Sequence, residues 1–218
     1  MAKNQLWNDD YWLLLMQLYL RKPVGVKPMY SREMVSLSLE LHIAPRQLYQ
    51  RQNTIANLET PRIERIWKEY SQNPQRLTRA VRLLREMKGF NSAGDFFEGV
   101  AIEETFEGDF RPLAENSRLM PFMLVMILDL YFRLTPITMV AETPEVQELS
   151  RLMRVPNKLT VEVLNVYQCL DPCLRRQKQS DSALLQPCRQ IWKRYANMET
   201  TQLAEYAEQL SYYFRGER

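Results

Sequence analysis

Histidine is nearly absent: the 218 residues include one, His42. A lone imidazole with no cysteine or carboxylate pattern beside it offers no catalytic base, and a turn position suits it better. Cysteine is scarce as well, at three residues, Cys169, Cys173 and Cys188. Structural zinc takes four Cys/His ligands, and the one histidine lies far away in the chain, so no metal site is expected. An odd set of thiols gives no disulfide framework either. Reduced cysteines, with acidic Asp9 and Asp10 ahead of the first apolar run where a secretory signal would be basic, lead to an expected cytoplasmic location. Glycine numbers six, four of them between residues 89 and 112, and no phosphate-cradling glycine loop results. Long apolar runs are missing too. Tyr11–Leu20 and Met120–Leu134 are too short to span a bilayer and enclose Gln17 and Asp129, so they read as buried core helices and no membrane partner is expected. No acid, base and nucleophile set can be assembled, so the chain is expected to be no enzyme and to need no cofactor.

What is present is an ordinary globular composition, 45% hydrophobic and 25% charged, which excludes wholesale disorder. The net charge of +3 conceals an uneven distribution. Residues 1–90 hold 15 Lys/Arg against 8 Asp/Glu, residues 91–118 hold 2 against 7, and residues 119–218 hold 12 against 11. A basic first part beside an acidic middle permits either a polyanionic partner or internal neutralisation.

The two halves echo each other. Leu18-Tyr19-Leu20-Arg21 matches Leu130-Tyr131-Phe132-Arg133, each followed by a proline, Pro23 or Pro136. Leu37-Ser38, Leu41 and Ile43 match Leu149-Ser150, Met153 and Val155. Asn57-Leu58-Glu59-Thr60-Pro61 parallels Cys169-Leu170-Asp171-Pro172, and Ile66-Trp67-Lys68-Glu69-Tyr70 parallels Ile191-Trp192-Lys193-Arg194-Tyr195. Only four tryptophans occur in the chain, and two of them stand in this shared setting. Four blocks in one order predict an internal duplication, with Trp67 and Trp192 in equivalent buried places. The expected fold is all-α: a first helical unit over 1–88, an acidic Phe/Gly-rich connector over 89–117 and a second unit over 118–218.

Within the first unit the spacing predicts helices over about Asp9–Leu20, from Ser31 as N-cap, over Arg62–Tyr70 and over Pro74–Lys88. Leu77, Val81 and Leu84 form the core stripe of the last, with Arg76, Arg79, Arg82 and Arg85 on its other side. The connector holds five of the eight phenylalanines, Phe90, Phe96, Phe97, Phe106 and Phe110, among Glu103, Glu104, Glu107 and Asp109. A flexible linker has no use for so many rings, so they are expected to pack into the units, with a short extended piece in Val100–Phe106. The acids themselves read as a solvated loop.

The stretch Ser36–Leu58 carries a more specific pattern. Leu37, the small Ser38, Leu41, Ile43 after a short turn, and Leu48 on the next helix resemble the helix-turn-helix DNA-binding signature. The resemblance implies a second helix crossing close over Ser38 and offering its outer face to a major groove. On that face would stand Arg46, Gln47, Gln50, Arg51 and Asn53, whose forked donors and acceptors fit guanine and adenine edges. Arg76, Arg79 and Arg82 would support them on phosphates. The pattern departs from the usual one at His42, where glycine is common, and at Arg51-Gln52, where an apolar residue is common. The matching helix of the second half, Asn157–Tyr167, carries Val161, Val163, Leu164 and Val166 around Glu162, a poor phosphate-facing surface, and is expected instead to be a packing or dimerisation surface, with a protein partner or a second copy as its occupant in the latter case. The expected function is therefore duplex-DNA binding of a transcription-regulator kind through the first half. The alternative is a helical protein-interaction scaffold with no nucleic-acid role.

Overall fold

A computed structural model describes residues 7–87, 90, 106–174 and 181–215. The described residues are all-helical, with no strand among them. They fall into two compact units, Met1–Ala101 and Ile102–Arg218.

The first unit consists of α1 (Tyr11–Leu20), α2 (Arg32–Leu41), α3 (Pro45–Ala56), α4 (Pro61–Tyr70) and α5 (Pro74–Glu86). The helix starts are written locally. Ser31 Oγ accepts the Met34 N–H at 3.4 Å, Thr60 Oγ1 that of Ile63 at 3.3 Å, and Asn73 Oδ1 that of Arg76 at 3.2 Å. Proline opens α3, α4 and α5, where its fixed φ fits the first turn and its missing N–H costs nothing. Helix α1 is apolar on nearly every side, and that composition places it centrally, packed on α3, α4 and α5. Its Leu14, Leu15, Met16 and Leu18 are buried against Leu48 and Ile55 of α3, Ile63 of α4 and the stripe Leu77, Val81 and Leu84 of α5. Each such side chain removed from water contributes about 1.5–3 kcal/mol.

The loop between α1 and α2 is closed by a buried lysine. Lys27 Nζ donates to the carbonyls of Arg21, at 2.6 Å, and of Pro23. The Lys27 N–H donates to Gln52 Oε1 on α3 at 2.8 Å.

The second unit opens with a 3-10 turn, Phe106–Phe110, followed by α6 (Pro121–Arg133), a 3-10 turn at Pro136–Thr138, α7 (Pro144–Met153), α8 (Asn157–Leu170), α9 (Leu185–Tyr195) and α10 (Thr200–Arg215). Helix α6 is central in its turn: every residue from Phe122 to Tyr131 is buried, and α7, α8, α9 and α10 pack around it. Asp129 tolerates that position because Arg133 reaches it at 3.0 Å, although burial still raises its pKa above the ordinary value. Tyr167 on α8 hands its hydroxyl to the Leu124 carbonyl at 2.9 Å. No helix among the described residues is long and apolar enough to cross a membrane.

Three expectations change here. Glu107 and Asp109 are not in a solvated loop. Glu107 is buried within reach of Arg111 at 3.3 Å, and Asp109 takes a forked pair of bonds from Arg194 at 2.8 and 3.0 Å. They belong to the 3-10 turn whose Phe110 stacks on Phe122 at 5.2 Å. Trp67 and Trp192 are half-buried rather than buried, each in edge-on contact with a tyrosine, Tyr19 or Tyr131. Val163, Leu164 and Val166 of α8 belong to the core of the second unit, so they offer no surface to a partner. Of the five connector phenylalanines, Phe90 packs edge-on against Tyr11 at 6.1 Å and Phe110 against Phe122. Phe96, Phe97, Glu103, Glu104 and the extended piece expected before Phe106 lie outside the described residues.

Candidate nucleic-acid interface

The α2–α3 crossing is built on one small residue and one left-handed turn. Ser38 on α2 and Leu48 on α3 are both fully buried in a unit where the two helices pack together, so a larger side chain at 38 would have no free space to fill. His42 terminates α2 with φ 54° and ψ 32°, the left-handed conformation that glycine adopts without strain and other residues at about 1–2 kcal/mol. The N–H groups of His42 and Ile43 both point back to the Ser38 carbonyl, closing the helix end. Ile43 is buried, Ala44 is extended, and Pro45 starts α3. The turn thus occupies three residues, and the departure from glycine at 42 is absorbed rather than avoided.

On α3, Pro45, Leu48, Gln52 and Ile55 form the inner face. Gln52 fills the position where an apolar residue was expected, and it does so by accepting the Lys27 N–H. Its amide nitrogen, like Ser38 Oγ, is buried with no hydrogen-bond partner. Arg46, Gln47 and Gln50 are exposed, with Arg46 and Gln50 one turn apart on a single stripe. The structure therefore presents these three side chains together at the N-terminal half of the helix.

Arg51 is placed differently. It is half-buried, its guanidinium lies 3.9 Å from the centre of the Trp7 ring and 5.9 Å from that of Trp12, and burial lowers its pKa from the usual arginine value. It flanks the exposed stripe instead of lying on it.

The α5 arginines are partly committed. Arg76 donates to Glu69 at 2.5 Å and leans over Tyr70, Arg82 stands 3.8 Å from Glu86, and Arg85 forks onto Glu40 of α2 at 2.5 and 2.8 Å. Arg79 is exposed and has no carboxylate within salt-bridge distance among the described residues. Helices α3 and α5 both pack on α1, so the two basic groups occupy separate helices of one unit.

In the second unit, α8 exposes Lys158, Glu162 and Asn165, and Glu162 accepts from Ser182 at 2.7 Å. Its crossing under α7 repeats the first unit's geometry with other chemistry. Arg154 takes φ 58°, Val155 N–H returns to the Ser150 carbonyl at 3.0 Å, and buried Ser150 bonds buried Thr160 at 2.6 Å. Among the described residues no group of three or more His, Cys, Asp or Glu is arranged to hold a metal ion.

Sequence spacing reached Ser38, Ile43, Leu48 and the exposed Arg46, Gln47 and Gln50. It missed Trp7, Lys27 and Gln52. The only local signal for the first was the cluster Trp7, Tyr11 and Trp12, and nothing tied it to α3. Comparison of the chain with protein families, curated proteins and solved structures gave no match.

Proposed function

We propose that this chain binds duplex DNA in the manner of a transcription regulator, through the first unit, with α3 as the reading helix. The observation that carries the reading is the joint exposure of Arg46, Gln47 and Gln50 on a helix held by a three-residue turn over a buried serine. Side chains near the start of such a helix are those that reach base edges, and Arg and Gln supply the paired donors and acceptors that major-groove edges require. Arg79 adds an uncommitted cation on a neighbouring helix for a phosphate. The expectation for Arg76 and Arg82 is weakened to the extent that Glu69 and Glu86 already hold them.

The test is binding of a labelled duplex library followed as a function of salt. Wild type should bind with a logarithmic salt slope set by the number of phosphates neutralised. Combined Arg46→Ala, Gln47→Ala and Gln50→Ala should weaken selected sites by about 10-fold or more, since each good base contact is worth about 1–3 kcal/mol. Absence of salt-dependent binding by wild type at 50 mM salt removes the reading.

We also infer an internal duplication. In its support, His42 and Arg154 share the left-handed cap, Ser38 and Ser150 the buried crossing, and the pairs Tyr19–Trp67 and Tyr131–Trp192 the same edge-on contact at 5.9 and 5.8 Å. The scaffold reading has its own observation. Phe132, Ile137 and Val140 are exposed apolar residues close together in the second unit's sequence, and Ile137 is 89% exposed. A protein partner there would leave the salt slope for DNA at zero in the isolated chain.

A further inference from the structure

Resting on the DNA-binding reading, we propose that Arg51 is a phosphate clamp, not a base reader, and that Trp7 is the residue that positions it. The guanidinium carbon lies over the Trp7 ring at 3.9 Å from its centre, and Trp7 is itself braced by Trp12 at 4.9 Å and Tyr11 at 5.7 Å. Stacking occupies the face of the cation and leaves its edge N–H groups to other partners. Among the described residues no hydrogen bond or ion pair fills that edge. Asp9, whose charge reaches Arg51, is itself bonded to Arg62 at 2.6 Å. Elsewhere in the first unit, by contrast, Arg62, Arg76, Arg82 and Arg85 all have carboxylates. A cation that is partly desolvated, seated on an indole and with no ion pair of its own among the described residues is suited to an anion that arrives from outside. Its place on the helix says which anion. Arg51 stands one turn beyond Gln47 and to the side of the Arg46–Gln50 stripe, where a duplex seated on that stripe would present its sugar-phosphate strand rather than base edges. Side-chain order prepared in advance lowers the entropy lost on contact, which is the gain the tryptophan provides.

The experiment compares wild type, Arg51→Gln, Arg51→Lys, Trp7→Phe and Trp7→Ala on two duplexes of unrelated sequence, from 50 to 300 mM salt. Thermal melts establish that each variant is folded. The clamp predicts that Arg51→Gln lowers the magnitude of the salt slope by about 1 and weakens both duplexes equally, by roughly 5–10-fold at low salt. Arg51→Lys should keep the slope and lose part of the affinity. Trp7→Ala should weaken both duplexes by a similar factor while Trp7→Phe, which keeps a ring, stays near wild type. An unchanged slope in Arg51→Gln overturns the clamp while leaving the DNA reading intact, provided the Arg46, Gln47 and Gln50 substitutions still act. A loss confined to one duplex makes Arg51 a base reader and overturns it too. Should Trp7→Ala prove unfolded, the contrast between Arg51→Lys and Arg51→Gln still decides. If wild type binds neither duplex, both the reading and the clamp fall.

Discussion

At the scale of single residues, the two crossings make opposite predictions from the same amino acid. Ser38 and Ser150 are both fully buried at the point where one helix passes over the next. Ser38 Oγ has no partner, whereas Ser150 Oγ shares a 2.6 Å bond with Thr160. Ser38→Ala deletes an unsatisfied hydroxyl and should leave stability unchanged or raise it by about 1 kcal/mol; Ser150→Ala strands Thr160 and should cost about 1–2 kcal/mol. Chemical denaturation of the two variants checks the sign directly. Larger replacements at 38, such as Leu, should disrupt the crossing altogether. That a small residue belonged at 38 was visible from its place between Leu37 and Leu41. That its hydroxyl is unsatisfied was not, because only the folded crossing brings Thr160 to Ser150 and leaves Ser38 with no such partner. Arg51 makes the same point: its partner Trp7 lies in a different part of the chain, and periodicity on α3 assigns Arg51 to the outer face simply because arginine is polar.

At the scale of elements, the helices whose composition was least ambiguous were the most legible. Tyr11–Leu20 and the run beginning at Pro121 are apolar around most of their circumference, which leaves only a central position, and each is wrapped by the helices that follow. Caps and first-turn prolines fixed the starts of α2, α4 and α5. The 3-10 turn Phe106–Phe110 was not legible, because its charge suggested solvent while its two phenylalanines and the ion pair to Arg194 bury it. Tyrosine–tryptophan contacts test the likeness of the two units. Half-buried Trp67 and Trp192 should each cost about 2–3 kcal/mol when cut to Ala, less than a fully enclosed tryptophan and nearly the same as each other. Markedly unequal losses, read from denaturant midpoints, would count against common descent of the two units. The thiols of α8, of the turn that follows it and of α9 separate by burial. Cys173 is exposed, Cys169 half-buried and Cys188 buried, with burial first and the charge of Glu162 second pushing the Cys188 thiol up to about 12. A thiol reagent at neutral pH should therefore label Cys173 first and Cys188 only on unfolding. Because the folded-state pKa lies above the unfolded value of 9.0, the contribution of Cys188 is intact below pH 9 and lost as pH rises toward about 12, and alkaline melts of Cys188→Ala should show a shallower decline than wild type.

At the scale of the whole molecule, the charge asymmetry read from the sequence is a property of the chain whose use depends on which cations remain unpaired. In the first unit, Arg62, Arg76, Arg82 and Arg85 are answered by acids, so the excess that could attract a polyanion is concentrated on fewer side chains than the count of arginines suggests. The arrangement of the cores carries a further consequence. Helix α1 packs most extensively on α5, and α6 on α10, so in each unit the first long helix finds its main partner in the last. During synthesis each central helix leaves the ribosome long before that partner does, and the ten buried residues of α6 must wait for Thr200–Arg215. A chain stopped before Thr200 would keep every other helix of the second unit yet expose Phe122 and its neighbours. Such a fragment should clump or be held by chaperones rather than persist as a smaller folded body, making the last helix of each unit the step that releases the nascent protein.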